Sequence, residues 1–441
     1  MHPYRIPIDS VRRNVQNKAE LIFILMLFVA IFFRLFRYNI GTLSFTAYLT
    51  YPIAFVFIMF QILNYIELNY HRTLFIVYFL FLSWLMYGVI TLFYTVSYEL
   101  SIATLELRFA SFLNFYVVTQ FLTTRRRFLA FETTLFICLL WNIGVAAWEI
   151  MTLNHLRISR FYEIPYFIPT GAFLSENTFA SKLLVSSTFL FFIKGKYLKY
   201  VAITMLFLLF IIFCTQGVRL ALIVFTPILL YVFFKRTNYI YKICVLFTLI
   251  FVLHYLFSTN PIMKIIVKNH IETQILSLGN ELQSVSVGST RARIAVIKEG
   301  LQGLASSGGF GIGVGSFAML VQQPHCKADI MNSINAHLML LEVLATEGFI
   351  GFFLLIFILF SCLKPILFKD NKFSFFSLFR LRSLTQDEKH VLLILLFIIV
   401  GTTLIASYRT KFLYWIILGY GYSMMYNKSF PEESSLLGEK T

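Results

Sequence analysis

Ser289-Thr290-Arg291-Ala292-Arg293-Ile294, then Gly308-Gly309-Phe310-Gly311-Ile312-Gly313-Val314-Gly315, then Asn335-Ala336-His337-Leu338 mark a long polar, glycine-punctuated stretch in an otherwise apolar chain. Ile294, Ile297, Leu301 and Leu304 recur at helical spacing, which predicts a helix lying along a surface with these four on its covered face. The glycines that follow are too dense for a helix to continue, so residues 308–315 read as a loop. His337 stands at the mouth of an apolar run that starts at Leu338. Arg291, Arg293 and His337 are therefore expected near one membrane face.

Working outward, 59% of the 441 residues are hydrophobic, 13% are charged and 51 are phenylalanine, far outside soluble composition. The class is all-α and polytopic, a single integral membrane domain over 1–441. The formal charge of +16 is scattered through short connections, which is the mark of membrane topology, so no nucleic-acid partner is expected. The five cysteines form no Cys-x-x-Cys or Cys/His pattern, so no zinc site or disulfide framework is signalled.

Apolar runs of about 15 to 25 residues give about twelve transmembrane helices. They lie at 21–36, 41–65, 73–95, 101–122, 128–150, 172–193, 198–214, 218–234, 240–258, 338–363, 390–407 and 411–427. The first run follows Arg5, Arg12, Arg13 and Lys18 and lacks a small-residue cleavage site, so it reads as a retained span with a cytoplasmic N-terminus. With that start, Arg72, Arg125-Arg126-Arg127, Lys194/Lys196/Lys199, Lys235/Arg236/Lys242 and the 364–389 loop all fall on the cytoplasmic side, as the positive-inside rule requires. The 428–441 tail is cytoplasmic as well. The long 259–337 loop faces outward, together with the turn at 215–217 and residues 408–410. Arg219, Arg291, Arg293, His337 and Arg409 thus share the outer side. Basic residues against the usual charge bias need a reason, and an anionic ligand is one.

Other ionisable residues lie in or beside the spans. Glu106 and Arg108 either line a cavity or pair with neighbouring helices; Lys182 and His254 read as helix contacts or snorkelling groups. The aromatics read as lipid-facing packing and interfacial belts rather than a sugar-stacking platform. No internal repeat is visible, which weighs against a transporter built from two related halves.

Arginine guanidinium groups fork onto phosphate oxygens, so two or three of them where water is limited would hold a diphosphate. A histidine beside them can take the proton of an attacking hydroxyl. That set suffices for inverting transfer of a sugar from a lipid diphosphate without a metal or other cofactor, and no Asp-x-Asp motif occurs in the loops. The same residues would equally anchor an interfacial helix to headgroups and cap a span, and both readings stand at this level.

Several runs in order resemble the bacterial O-antigen ligase and polysaccharide polymerase superfamily. They are Gly171-Ala172-Phe173 with Asn177-Thr178-Phe179-Ala180, Thr215-Gln216-Gly217-Val218-Arg219-Leu220-Ala221-Leu222, Ala292-Arg293-Ile294-Ala295 with Glu299-Gly300-Leu301, Phe310-Gly311-Ile312-Gly313-Val314-Gly315, and Asn335-Ala336-His337 with Leu341-Glu342 and Glu347-Gly348-Phe349-Ile350-Gly351. They cover about half of the chain, from near 160 to 351. The resemblance implies a C-type membrane glycosyltransferase in the bacterial inner (cytoplasmic) membrane, working at its outer face on undecaprenyl-diphosphate-linked oligosaccharide. Arg219 and Arg293 match the diphosphate-binding arginines, Arg291 is a further candidate, and His337 matches the base. Leu338 stands where the family usually has Asn, so support of the histidine is lost or moves to Asn335. Arg409 and Glu176 are possible supporting residues. The wording of the motifs is closer to O-antigen and capsule polymerases, with a chain-length regulator and a flippase as implied partners. A ligase acting on lipid A core or another terminal acceptor is the alternative, and a lipid-linked oligosaccharide transporter is the alternative of another class.

Overall fold

The computed structural model describes residues 18, 39–40, 43–63, 71–157, 159, 161–162, 168–171, 173, 175–193, 197–216, 218–236, 289–321, 339–361, 363–369, 372–373, 384–404 and 412–426. Within them the regular structure is helical apart from two short antiparallel ladders, Asn39–Ile40 with Leu43–Ser44 and Phe368–Lys369 with Lys372–Phe373.

The helices are α1 (Phe45–Ile62), α2 (Arg72–Ile90, prolonged by a 3-10 turn Thr91–Tyr94), α3 (Tyr98–Phe121) and α4 (Arg125–Thr152). They continue with α5 (Glu176–Ser186, prolonged by Ser187–Phe192), α6 (Leu198–Gln216), α7 (Arg219–Arg236), α8 (Ser289–Ser306) and α9 (Phe317–Val321). The last are α10 (Met339–Ser361), α11 (Lys364–Leu367), α12 (Gln386–Leu404) and α13 (Phe412–Tyr426). Ten of the expected spans coincide with these helices; 21–36 and 240–258 lie outside the described residues.

Among the described residues, four elements are long and apolar enough to cross a membrane by length and composition: Arg72–Tyr94, Arg125–Thr152, Leu198–Gln216 and Met339–Ser361. The molecule is thus a helical membrane protein, while twelve spans exceed what these four establish. α3 shows how a helix among the others departs from that pattern. It buries Arg108, Asn114 and Gln120 against neighbouring helices, trading apolar composition for internal polar bonding.

One apolar core runs through the bundle, with α13 packed along α3, α10 along α2, and α12 against α5 and α13. Its middle is aromatic: Phe81 and Trp84 meet Trp415 at ring distances of 4.7 and 5.9 Å, and Phe131 stacks on Tyr420 at 4.9 Å. Phe75, Phe79, Met86 and Phe93 point outward, the face a hydrocarbon solvent accepts. Ser111, Asn114, Thr119, Thr134 and Asn142 each donate back to a carbonyl one turn earlier, which satisfies a side-chain donor within the helix itself. Lys182 is buried with its ammonium 5.2 Å from the centre of the Tyr414 ring, a helix–helix contact as expected. His254 lies outside the described residues.

Two expectations for the central stretch need correcting. α8 is rotated relative to the expected face: Leu304 is buried and Ile297 half-buried as the spacing suggests, but Val296 is buried and Leu301 is 47% exposed. Glycine explains the rotation, because a Cβ at Gly300 would come within 3.1 Å of Phe317 and one at Gly303 within 2.9 Å of Leu320. Close approach of the backbone on that side outweighs apolar spacing on the other. The run from 338 to 363 is also not one continuous helix. α10 breaks at Gly348, whose φ of 65° and ψ of −164° lie outside the helical region.

Candidate functional site

The break in α10 is where the glycine loop docks. The Ile312 and Gly313 amides donate to the Ala345 and Thr346 carbonyls at 3.2 and 2.8 Å, and the Phe349 amide donates to the Gly309 carbonyl at 3.0 Å. A broken helix inside a membrane leaves backbone groups unpaired, and the loop supplies the partners. Only glycines allow this approach: a Cβ on Gly311 would lie 2.5 Å from backbone atoms of Thr346 and Gly348. The other side of the loop binds the α2–α3 connection. The Val314 amide donates to Thr91 Oγ1 at 3.0 Å, Thr95 and Ser316 hydroxyls meet at 2.7 Å, and Ser101 Oγ donates to the Val314 carbonyl.

Below the loop, Arg108 of α3 and Glu347 of α10 form a buried ion pair, with 1% and 2% of their side chains exposed. Arg108 Nη1 donates to Glu347 Oε2 at 2.9 Å and Nη2 donates to Oε1. Trp84 Nε1 donates to the same Oε2 at 2.7 Å, and the guanidinium lies 4.0 Å from the centre of the Trp84 ring. Of the two readings open for Arg108, the pairing one holds. Glu106 stays half-buried, and its backbone carbonyl accepts the Tyr51 hydroxyl at 2.8 Å.

A second polar knot lies at the end of α4. Glu149 is fully buried and receives the amides of Thr170 and Gly171 at 2.8 and 2.6 Å, with His155 Nδ1 3.1 Å from its other oxygen. The neighbouring Pro169 carbonyl accepts Gln216 Nε2 at 2.9 Å. Gln216 is the last residue of α6, and Arg219 is the first of α7, so this knot abuts the turn that carries an expected donor-binding arginine.

The expected site residues are placed as follows. Arg219 opens α7, and Arg291 and Arg293 lie in the first turn or so of α8; the description covers their backbones and not their side chains. Asn335, His337 and Arg409 lie outside the described residues, with His337 two positions before the start of α10 at Met339. Glu176 opens α5, half-buried, after the Ser175 cap. Helix starts are electropositive, and an arginine added there strengthens the attraction for an anion. Such ends are natural places for a diphosphate. Among the described residues no three His, Cys, Asp or Glu side chains gather as a metal site would need, and Cys138 and Cys214 are free thiols.

Sequence reasoning passed over Glu149, and it quoted Glu347 without assigning it a partner. The available signal was an acid inside or at the end of an apolar run, since such residues need partners. What those partners are depends on helices distant in sequence.

No family model matches the chain. Over 279 residues, 61% of the chain, it is 23% identical to the teichuronic acid biosynthesis protein TuaE of Bacillus subtilis (strain 168), and this similarity spans 56% of that relative's length.

Proposed function

We propose that the chain is a membrane glycosyltransferase of cell-wall polysaccharide biosynthesis that polymerises undecaprenyl-diphosphate-linked oligosaccharide at the outer face of the cytoplasmic membrane. The observation that carries this reading is the position of Arg219 at the start of α7 and of Arg291 and Arg293 near the start of α8, where guanidinium groups and an electropositive helix end together favour a bound anion. The similarity to a teichuronic acid biosynthesis protein supports the pathway class.

In this mechanism the arginines grip the donor diphosphate and stabilise the charge that grows on it as it leaves. His337 removes the proton from the acceptor hydroxyl. The acceptor oxygen then bonds to the anomeric carbon as the bond from that carbon to the diphosphate breaks. Configuration inverts, and the polyprenyl diphosphate departs. Asn335 takes the role of orienting the histidine in this reading. The remaining proposed features are twelve spans with both termini in the cytoplasm, a C-type glycosyltransferase architecture, and a flippase and a chain-length regulator as partners.

The test is purified protein in lipid nanodiscs with a synthetic undecaprenyl-diphosphate oligosaccharide. A ladder of longer lipid-linked products is the expected result. Single transfer to a terminal acceptor that carries no lipid diphosphate would make the enzyme a ligase, and lipid translocation without any transfer would make it a transporter.

A further inference from the structure

We infer that Glu149 is a positioning residue for the donor, acting through the turn that carries Arg219; the inference rests on the donor-binding reading of Arg219 given above. An acid buried in the last turns of an apolar helix needs several hydrogen-bond donors to be tolerated. Glu149 has them: one carboxylate oxygen takes the Thr170 and Gly171 amides, and the other lies 3.1 Å from His155 Nδ1 and 3.3 Å from Thr170 Oγ1. These bonds fix three consecutive residues, because Pro169 is joined to the pair it holds.

The Pro169 carbonyl is the next link. It accepts Gln216 Nε2, and Gln216 is buried with its Oε1 lacking a partner among the described residues. The end of α6 is therefore tied by this one side-chain bond to the segment that Glu149 holds. Two residues separate Gln216 from Arg219, and the second of them, Val218, is buried in the core. The direction in which α7 starts, and with it the place of Arg219, is thus set from two sides. One is apolar packing at Val218, and the other is the Glu149–Pro169–Gln216 chain.

The neutral isostere separates this role from plain packing. Glu149→Gln keeps the shape but turns an NH2 group toward donors, so segment 169–171 loses part of its anchor. Gln216→Met removes the other link and leaves the carboxylate untouched. The readout is binding of undecaprenyl diphosphate, without sugar, to the full chain in nanodiscs, compared with Arg219→Ala and with the double variant Glu149→Gln/Arg219→Ala.

Arg219→Ala should weaken binding by more than about tenfold, and Glu149→Gln and Gln216→Met by about tenfold each. The double variant should bind no more weakly than Arg219→Ala alone, because both changes remove the same contact. The KM for the acceptor should stay unchanged in Glu149→Gln and Gln216→Met. If Glu149→Gln does not accumulate as folded protein, Gln216→Met carries the comparison. Normal binding by Glu149→Gln and Gln216→Met, with binding lost in Arg219→Ala, overturns the inference and leaves the arginine reading intact. Additive losses in the double variant overturn it as well. Normal binding by Arg219→Ala overturns the arginine reading and the inference together.

Discussion

Arg108 and Glu347, 239 positions apart in the chain, meet side by side within the bundle, and Trp84 both covers the guanidinium and donates to the carboxylate. The pair joins α3 to α10 one residue before the break at Gly348. It therefore holds the N-terminal half of α10, the half that follows His337, against the bundle.

Because both groups are buried, removing one strands the other. Glu347→Gln should destabilise the protein by about 3–5 kcal/mol, since Arg108 keeps its charge without a counter-ion. Arg108→Met added to Glu347→Gln should recover most of this loss, because the amide oxygen still serves Trp84 and no charge remains. Unfolding temperatures in detergent decide. A double variant no more stable than Glu347→Gln would mean that the pair is not the source of the effect.

The glycine loop is expected to be intolerant at Gly311 and forgiving at Gly308. Both have positive φ, 83° and 63°, which penalises alanine by about 1–2 kcal/mol. Gly308 faces open space, whereas a Cβ at Gly311 meets backbone atoms at 2.5 Å that cannot swing aside. Gly311→Ala should therefore lose folded protein on size-exclusion chromatography where Gly308→Ala keeps it. Equal behaviour of the two would contradict the docking of the loop on α10.

Loss of the proposed base should strike turnover and spare the donor. His337→Ala is expected to slow transfer by about 10²–10⁴-fold with undecaprenyl diphosphate still bound, as for removal of a general base. His337→Gln should be equally slow, although it can still hydrogen-bond at a helix start. Activity close to wild type in His337→Gln would move the search for a base to the segment 151–177, which the expected topology places outside and which carries Glu163 and Glu176.

Topology can be read directly with single cysteines in a cysteine-free background. Positions 289 and 322 should react with an impermeant thiol reagent applied to intact cells or spheroplasts, and positions 126 and 380 only after permeabilisation. Reaction at 380 from outside would invert the arrangement and remove the proposed site from the outer face.

What the sequence by itself determined was the class and the rough position of the helices. Bilayers admit helices whose backbone groups are satisfied internally and whose length fits the hydrocarbon, so runs such as 73–95 and 128–150 could be recognised without any partner. Glycine density likewise marked 308–315 as a loop, since that is a local backbone property. Tertiary structure decided the rest. The face that α8 buries depends on what stands opposite Gly300 and Gly303, so apolar spacing alone chose Leu301 wrongly. The break at Gly348 survives because the distant Gly309 and Gly313 complete its hydrogen bonds, and a hydropathy window sees only an uninterrupted apolar run. Arg108, Glu347 and Glu149 were visible as ionisable residues within or beside apolar runs. Their pairings arise between segments brought together by packing, and local sequence carries no term for that.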